Sequence, residues 1–159
     1  MYDPAFHIVQ YQPEIASNTG SIGRTCVAIG AKLWLVRPLG FQIDDRKLKR
    51  AGLDYWPALA WEVVDDWATL EAKLHRRRMW FLTKKANRVY SSVRFRRGDA
   101  FVFGSESEGL PETMLRANHA RTLRIPIRQD VRSLNVSVAV GVMAYEACRQ
   151  CGIGFEGRP

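Results

Sequence analysis

No run of about 18 apolar residues occurs anywhere in this chain of 159 residues, which excludes a conventional membrane-spanning helix. Cysteine and histidine are scarce, at three each: Cys26, Cys148 and Cys151; His7, His75 and His119. Cys148-Arg149-Gln150-Cys151 has CxxC form, but no second Cys or His pair stands at zinc spacing, and the histidines show neither HxxxH nor HxE spacing. No metal site is assigned, and the two thiols read as incidental. The start, Met1-Tyr2-Asp3-Pro4, lacks the charged n-region and apolar stretch of a secretory signal. With an odd cysteine count, this points to reduced thiols in a cytoplasmic setting. Familiar catalytic fingerprints are missing too. No GxGxxG follows the first apolar run, no GxSxG elbow is present, and no Cys-His nucleophile pair can be argued from the spacings. Gly104-Ser105-Glu106-Ser107-Glu108-Gly109 begins like a P-loop, but Leu110-Pro111 stands where Lys-Ser/Thr is required, and two carboxylates there would repel phosphate.

What the chain has is positive charge. Lys and Arg total 24 against 16 Asp and Glu, a formal charge of +8, which favours a polyanionic partner. The excess gathers at Arg46-Lys47-Lys49-Arg50, Arg76-Arg77-Arg78, Lys84-Lys85 with Arg88, and Arg94-Arg96-Arg97. Trp56, Trp80, Tyr90 and Phe95 lie near some of these. One such run is usually a solvated face; four of them, interleaved with aromatics, suit single-stranded RNA. Hydrophobic residues at 47% and charged residues at 25% describe an ordinary globular protein. The length suits one domain over residues 1–159, with no separate RNA-binding domain.

Patterning predicts alternating strands and helices. Strands are expected over Ala5–Gln12, Leu33–Val36, Leu59–Val64, Met79–Thr83, Ala100–Gly104 and Thr122–Ile127. Continuous apolar runs such as Ala100-Phe101-Val102-Phe103 suit strands covered on both faces, hence a mostly parallel sheet flanked by helices, an α/β fold. Helices are expected from an N-cap at Asn18 to Gly30, over Asp44–Ala51, over Asp65–Arg76, from Pro111, and over Asn135–Gln150. Val136, Val138, Val140 and Val142 alternate as in a strand, but Met143 to Arg149 reads better as helix.

Three loop segments combine glycine or small polar residues with a flanking apolar run: Asn18 to Arg24, Phe103 to Pro111, and Ile125 to Ile127 with Arg132 to Ser137. Each has a plain explanation. Asn18 and Asn135 are good helix caps, Ser133 another, and Gly104 to Gly109 a tight turn. Tyr145 on a helix is more often packing than chemistry. Taken together, in this order and spacing, the three resemble the motifs of the SPOUT class of RNA ribose methyltransferases. Tyr11-Gln12-Pro13-Glu14-Ile15, Pro38-Leu39-Gly40-Phe41 and Arg50-Ala51-Gly52-Leu53-Asp54-Tyr55 extend the likeness over nearly the whole chain. Within the class it is similar to the small bacterial tRNA (cytidine/uridine-34 2'-O)-methyltransferases.

That resemblance implies an α/β fold with a C-terminal deep trefoil knot, a homodimer, and S-adenosyl-L-methionine bound in the knot. It implies 2'-O-methylation of the wobble nucleotide in a tRNA anticodon stem-loop, with leucine isoacceptors as expected substrates. Carried over by position, Leu82, Gly104, Gly109, Ile125, Ser133 and Leu134 would hold the cofactor, and Asn18, Glu106 and Asn135 are further motif positions. Arg24 and Tyr145 match catalytic positions. A guanidinium keeps its proton at neutral pH, so Arg24 is read as a clamp on the RNA phosphate and on charge developing at the 2'-oxygen. Tyr145 would orient the hydroxyl. The alternatives are a SPOUT enzyme acting on another tRNA or rRNA site, and a non-catalytic RNA-binding relative.

Overall fold

The computed structural model describes residues 3–44, 46, 50 and 54–154. Six strands form one parallel sheet: β1 (His7–Tyr11), β2 (Lys32–Val36), β3 (Trp61–Val64), β4 (Met79–Leu82), β5 (Ala100–Phe103) and β6 (Thr122–Leu123). Their order is β3-β2-β1-β5-β4-β6. The expected apolar runs are these strands. Ile8, Val9, Leu33, Leu35, Phe101 and Val102 are fully buried, as side chains must be when both faces of a sheet are covered.

Helices α1 (Ala16–Ile29) and α4 (Val136–Gln150) pack side by side on one face. There Ile22, Cys26, Val140, Met143, Ala144 and Ala147 meet Ile8, Leu33, Leu35, Phe101 and Phe103. The opposite face is covered by α2 (Trp67–Lys73) and α3 (Glu112–Ala117), whose Leu70, Met114 and Leu115 pack against Val9, Val36, Phe81 and Val102. Asp66 caps α2, accepting a hydrogen bond from the Thr69 amide at 2.7 Å. Gly30 ends α1 at a φ of 70°, in the left-handed region that glycine enters without strain.

Four expectations shift. Helix α1 starts before Asn18: its N-cap is Ile15, which supplies no side-chain cap, and Asn18 sits buried in the first turn. The last strand stops at Leu123 rather than Ile127; Arg124 makes one bridge to Val89, and Pro126 cannot donate to a ladder. The third strand starts at Trp61, after a short 3₁₀ turn at Trp56–Ala58. The helix expected over Asp44–Ala51 falls largely outside the described residues.

The order reverses between β1 and β5. Chain leaving β1 and β2 turns one way, and chain returning through β4 and β5 comes back beside β1. In open α/β sheets, ligands bind outside the carboxyl ends of the strands at such a switch point.

Candidate functional site

At that edge lies an open pocket of about 420 Å³, within the usual range for small-molecule sites of a few hundred cubic ångströms. Its walls come from the ends of β4 (Leu82–Lys85), β5 (Phe103–Leu110) and the stretch after β6 (Ile125, Ile127, Arg132–Val136), with Ile15 and Asn18 from α1. Leu82, Gly104, Gly109, Ile125, Ser133 and Leu134, the six positions expected to hold a cofactor, all line it. So do Asn18, Glu106 and Asn135.

Hydrogen bonds join the three loops. Glu106 accepts from the Glu14 amide at 2.8 Å and the Ile15 amide at 3.3 Å. These donors stand just ahead of α1, so the carboxylate takes the place of the missing side-chain cap and faces the positive end of the helix. Asn18 Nδ2 donates to Glu106 Oε1 at 3.3 Å, and Asn135 Nδ2 donates to Asn18 Oδ1 at 3.0 Å. Asn135 Oδ1 then accepts from the Ser137 amide at 2.9 Å and so caps α4, as expected. Ser133 makes no such cap. Glu106 is therefore a positioning residue for the loops as well as part of the pocket wall. Outside this line, the Ser107 hydroxyl donates to Glu14 Oε1 at 2.5 Å and holds that carboxyl below its ordinary range. Arg132 Nη2 reaches the Ser107 carbonyl at 3.3 Å, and Lys84 Nζ the Arg132 carbonyl at 3.0 Å.

Two glycines shape the second wall. A Cβ on Gly104 would lie 2.1 Å from the Gly109 carbonyl carbon and 2.3 Å from the Leu110 nitrogen. No side chain fits between those backbones. Gly109 itself has a φ of 71°, and its amide closes the loop on the Ser105 carbonyl at 2.9 Å.

Arg24 and Tyr145 lie elsewhere. Neither lines the pocket. Arg24 is exposed on α1, its guanidinium 4.6 Å from the centre of the Tyr55 ring, and stands about 9 Å along the helix from Asn18. Tyr145 is 51% exposed, about 15 Å along α4 from Asn135. Residues that sequence reasoning missed include Thr83, Lys84 and Lys85 after β4, Arg132, and Ile15 ahead of α1. Ile15 lies in the Tyr11-to-Ile15 stretch, Arg132 at the start of the third motif segment and Lys84-Lys85 in a basic cluster, but none is among the expected site positions; Thr83 carries no signal beyond its place at a strand end. Glu108, which is not among the expected site positions, also lines the pocket.

Burial pushes the Cys148 thiol up, and Cys151 in the same direction, which disfavours the thiolate a nucleophile needs. Among the described residues no cluster of three or more His, Cys, Asp or Glu side chains is placed to hold a metal, and no helix is long and apolar enough to cross a membrane.

A fold and pocket of this kind define an α/β enzyme-like domain with its ligand site in loops beyond the strand ends. The chain belongs to the SpoU rRNA methylase family, whose model matches residues 5–145. A tRNA (cytidine(34)-2'-O)-methyltransferase of Methylovorus glucosotrophus is 46% identical over 146 residues, covering 91% of this chain and 95% of the relative. A solved structure described as giving structural insights into the 2-OH methylation of C/U34 on tRNA superposes with a TM-score of 0.86 at 49% identity, covering 91% of this chain and 95% of that one. The SpoU methyltransferase AviRb of Streptomyces viridochromogenes, in complex with the cofactor AdoMet, shares the fold at 22% identity with a TM-score of 0.84, covering 98% of this chain and 60% of that one.

Proposed function

We propose that this protein transfers the methyl group of S-adenosyl-L-methionine to the ribose 2'-oxygen of the wobble nucleotide of tRNA, position 34, a cytidine or modified uridine. The observation that carries the reading is the convergence of all three motif segments on one pocket, in a chain whose relatives of similar length include enzymes named for this reaction. The lining suits the cofactor. Leu82, Ile125, Ile127 and Leu134 offer apolar wall to a purine, and the exposed loop backbone of 104–109 and 132–135 offers hydrogen bonds to polar ends. When bound, the cofactor supplies a methyl group on a sulfonium, ready for in-line displacement.

The chain's own residues hold and orient. Glu106, Asn18 and Asn135 fix the three walls relative to one another, which favours a defined attack geometry. Arg24 grips an RNA phosphate and stabilises charge developing on the 2'-oxygen, and Tyr145 orients the hydroxyl. Because both stand off their own pocket, they are assigned to the pocket of a second copy, the protein acting as a homodimer. Ile15, Leu134, Val138 and Tyr145, all large and exposed, form the apolar material for that contact. Action in the cytoplasm on the anticodon stem-loop of leucine tRNAs completes the reading.

The reading also includes the trefoil knot. Chain from 83 to 90 is laced to chain after β6 by Thr83 N to Leu123 O at 2.9 Å, Arg124 N to Arg88 O at 2.8 Å and Tyr90 N to Arg124 O at 2.9 Å, contacts that suit a threaded C-terminal segment.

The test is methyl transfer from labelled S-adenosylmethionine to total tRNA, followed by nuclease mapping. Label on the 2'-oxygen of the first anticodon nucleotide supports the reading. Label elsewhere keeps the class and overturns the target.

A further inference from the structure

Strands β4 and β5 run parallel with Met79 beside Ala100, so the segments preceding them share the sheet's opposite edge. Those segments are Arg76-Arg77-Arg78 and Arg94-Phe95-Arg96-Arg97. Ala100 N donates to the Arg78 carbonyl at 2.8 Å and Arg78 Nη2 to the Arg94 carbonyl at 2.9 Å, which makes them one surface. The strands themselves put about 13 Å between this edge and the pocket.

Two of the six guanidiniums are committed to the fold. Arg78 Nη2 lies 2.6 Å from the buried Asp99 and its guanidinium stands 5.0 Å from the Trp80 ring; Arg77 meets Asp3 at 3.3 Å. Among the described residues Arg76 bonds only His75, Nε to Nε2 at 3.2 Å. Arg94, Arg96 and Arg97 are exposed, and their side chains form no ion pair among the described residues. Six arginines therefore face two aspartates, a local surplus equal to half the chain's +8.

The aromatics beside these arginines do not face outward. Trp80 and Phe95 are each 6% exposed and pack edge-on with ring centres 5.8 Å apart. Among the described residues, neither of these two rings offers a face on which an unpaired base would stack. Charge without stacking platforms suits phosphates, not bases. Arginine forks suit them better than lysine point charges.

We propose that this arginine edge is a second RNA-contact surface, which grips the sugar–phosphate backbone of a helical part of the substrate beyond its anticodon stem-loop. The proposal rests on the tRNA reading above. It assigns a role to two basic clusters that the pocket does not use.

The test is the salt dependence of binding to full-length tRNA and to an isolated anticodon stem-loop, for wild type and for the combined Arg94→Ser, Arg96→Ser and Arg97→Ser variant. Losing three phosphate contacts should reduce the slope of log affinity against log salt by about 2.4. The dissociation constant for full-length tRNA, and its KM, should rise roughly tenfold at moderate salt, with kcat at saturating tRNA retained. Affinity for the stem-loop should stay as it was. The matching Arg→Lys variant keeps the charge and should keep most of the slope, which separates charge loss from misfolding; should the serine variant fail to fold, the three single serine variants should each lower the slope by about 0.8. An unchanged slope overturns the proposal, as does an equal loss of affinity for the stem-loop. If wild-type protein binds tRNA but methylates no nucleotide 34, the functional reading fails while the slopes still decide the arginine edge.

Discussion

Asn135 Nδ2 donates to Asn18 Oδ1 at 3.0 Å across 117 residues of sequence, joining the first turn of α1 to the cap of α4 beside the pocket. Asn18 is buried, so its amide has no water to fall back on. Asn135→Ala removes the α4 cap and leaves Asn18 Oδ1 unpaired, and should cost about 2 kcal/mol of stability. A double-mutant cycle with Asn18→Ala, read by urea unfolding, should return a coupling of about 1 kcal/mol. Additive losses would mean that the pair is not a unit.

Gly104→Ala should be the most damaging small change at the site. Its methyl would meet backbone at 2.1 Å, so the loop must move away from the strand end. We expect a stability loss of about 3 kcal/mol, at the upper end for overpacking, and no detectable cofactor binding by calorimetry. Gly141→Ala is the control, because nothing lies within 4 Å of that position and a mid-helix alanine is favoured.

Arg24→Lys should leave cofactor affinity unchanged and remove most turnover, because a lysine cannot reproduce the two-pronged grip on phosphate. Single-turnover methylation of tRNA measures this. Near-normal turnover would remove Arg24 from the reaction.

Stability should fall in mild acid. His7 is 4% exposed, accepts a hydrogen bond at Nδ1 from Trp34 Nε1 at 3.0 Å, and burial lowers its pKa from 6.5 to about 4. The folded state thus resists a proton that the unfolded chain accepts. The penalty is absent above pH 6.5, grows as pH falls through that value, and is complete near pH 4, at about 3 kcal/mol. Urea unfolding at pH 7, 5.5 and 4.5 should show the decline, and His7→Gln should flatten it.

Much of this was legible in one dimension because the runs that build the sheet are apolar without interruption and the loops between them carry glycine. Ala100 to Gly104 is the plainest case: a buried strand, then a residue with no side chain where two backbones meet. Asn18 misled because an asparagine ahead of an apolar periodicity reads as a cap. The real cap function comes from Glu106, some 90 residues away and invisible to local pattern. The aromatics near basic runs misled similarly, since Phe95 sits between two arginines and Trp80 just after three, yet both are buried. Lys84 and Lys85 reach the pocket only because β4 and the chain after β6 end side by side, which no spacing reveals.

The central claim is that the pocket joining the three loops is where S-adenosylmethionine binds. Ser133 tests it cleanly, being exposed on the pocket wall and outside both hydrophobic cores. Calorimetric titration of S-adenosylmethionine into wild type and Ser133→Trp, with unfolding curves for both, is the measurement. The account predicts binding to wild type, none to the tryptophan variant, and equal stability within about 0.5 kcal/mol. Wild-type affinity in Ser133→Trp would place the cofactor elsewhere and contradict it.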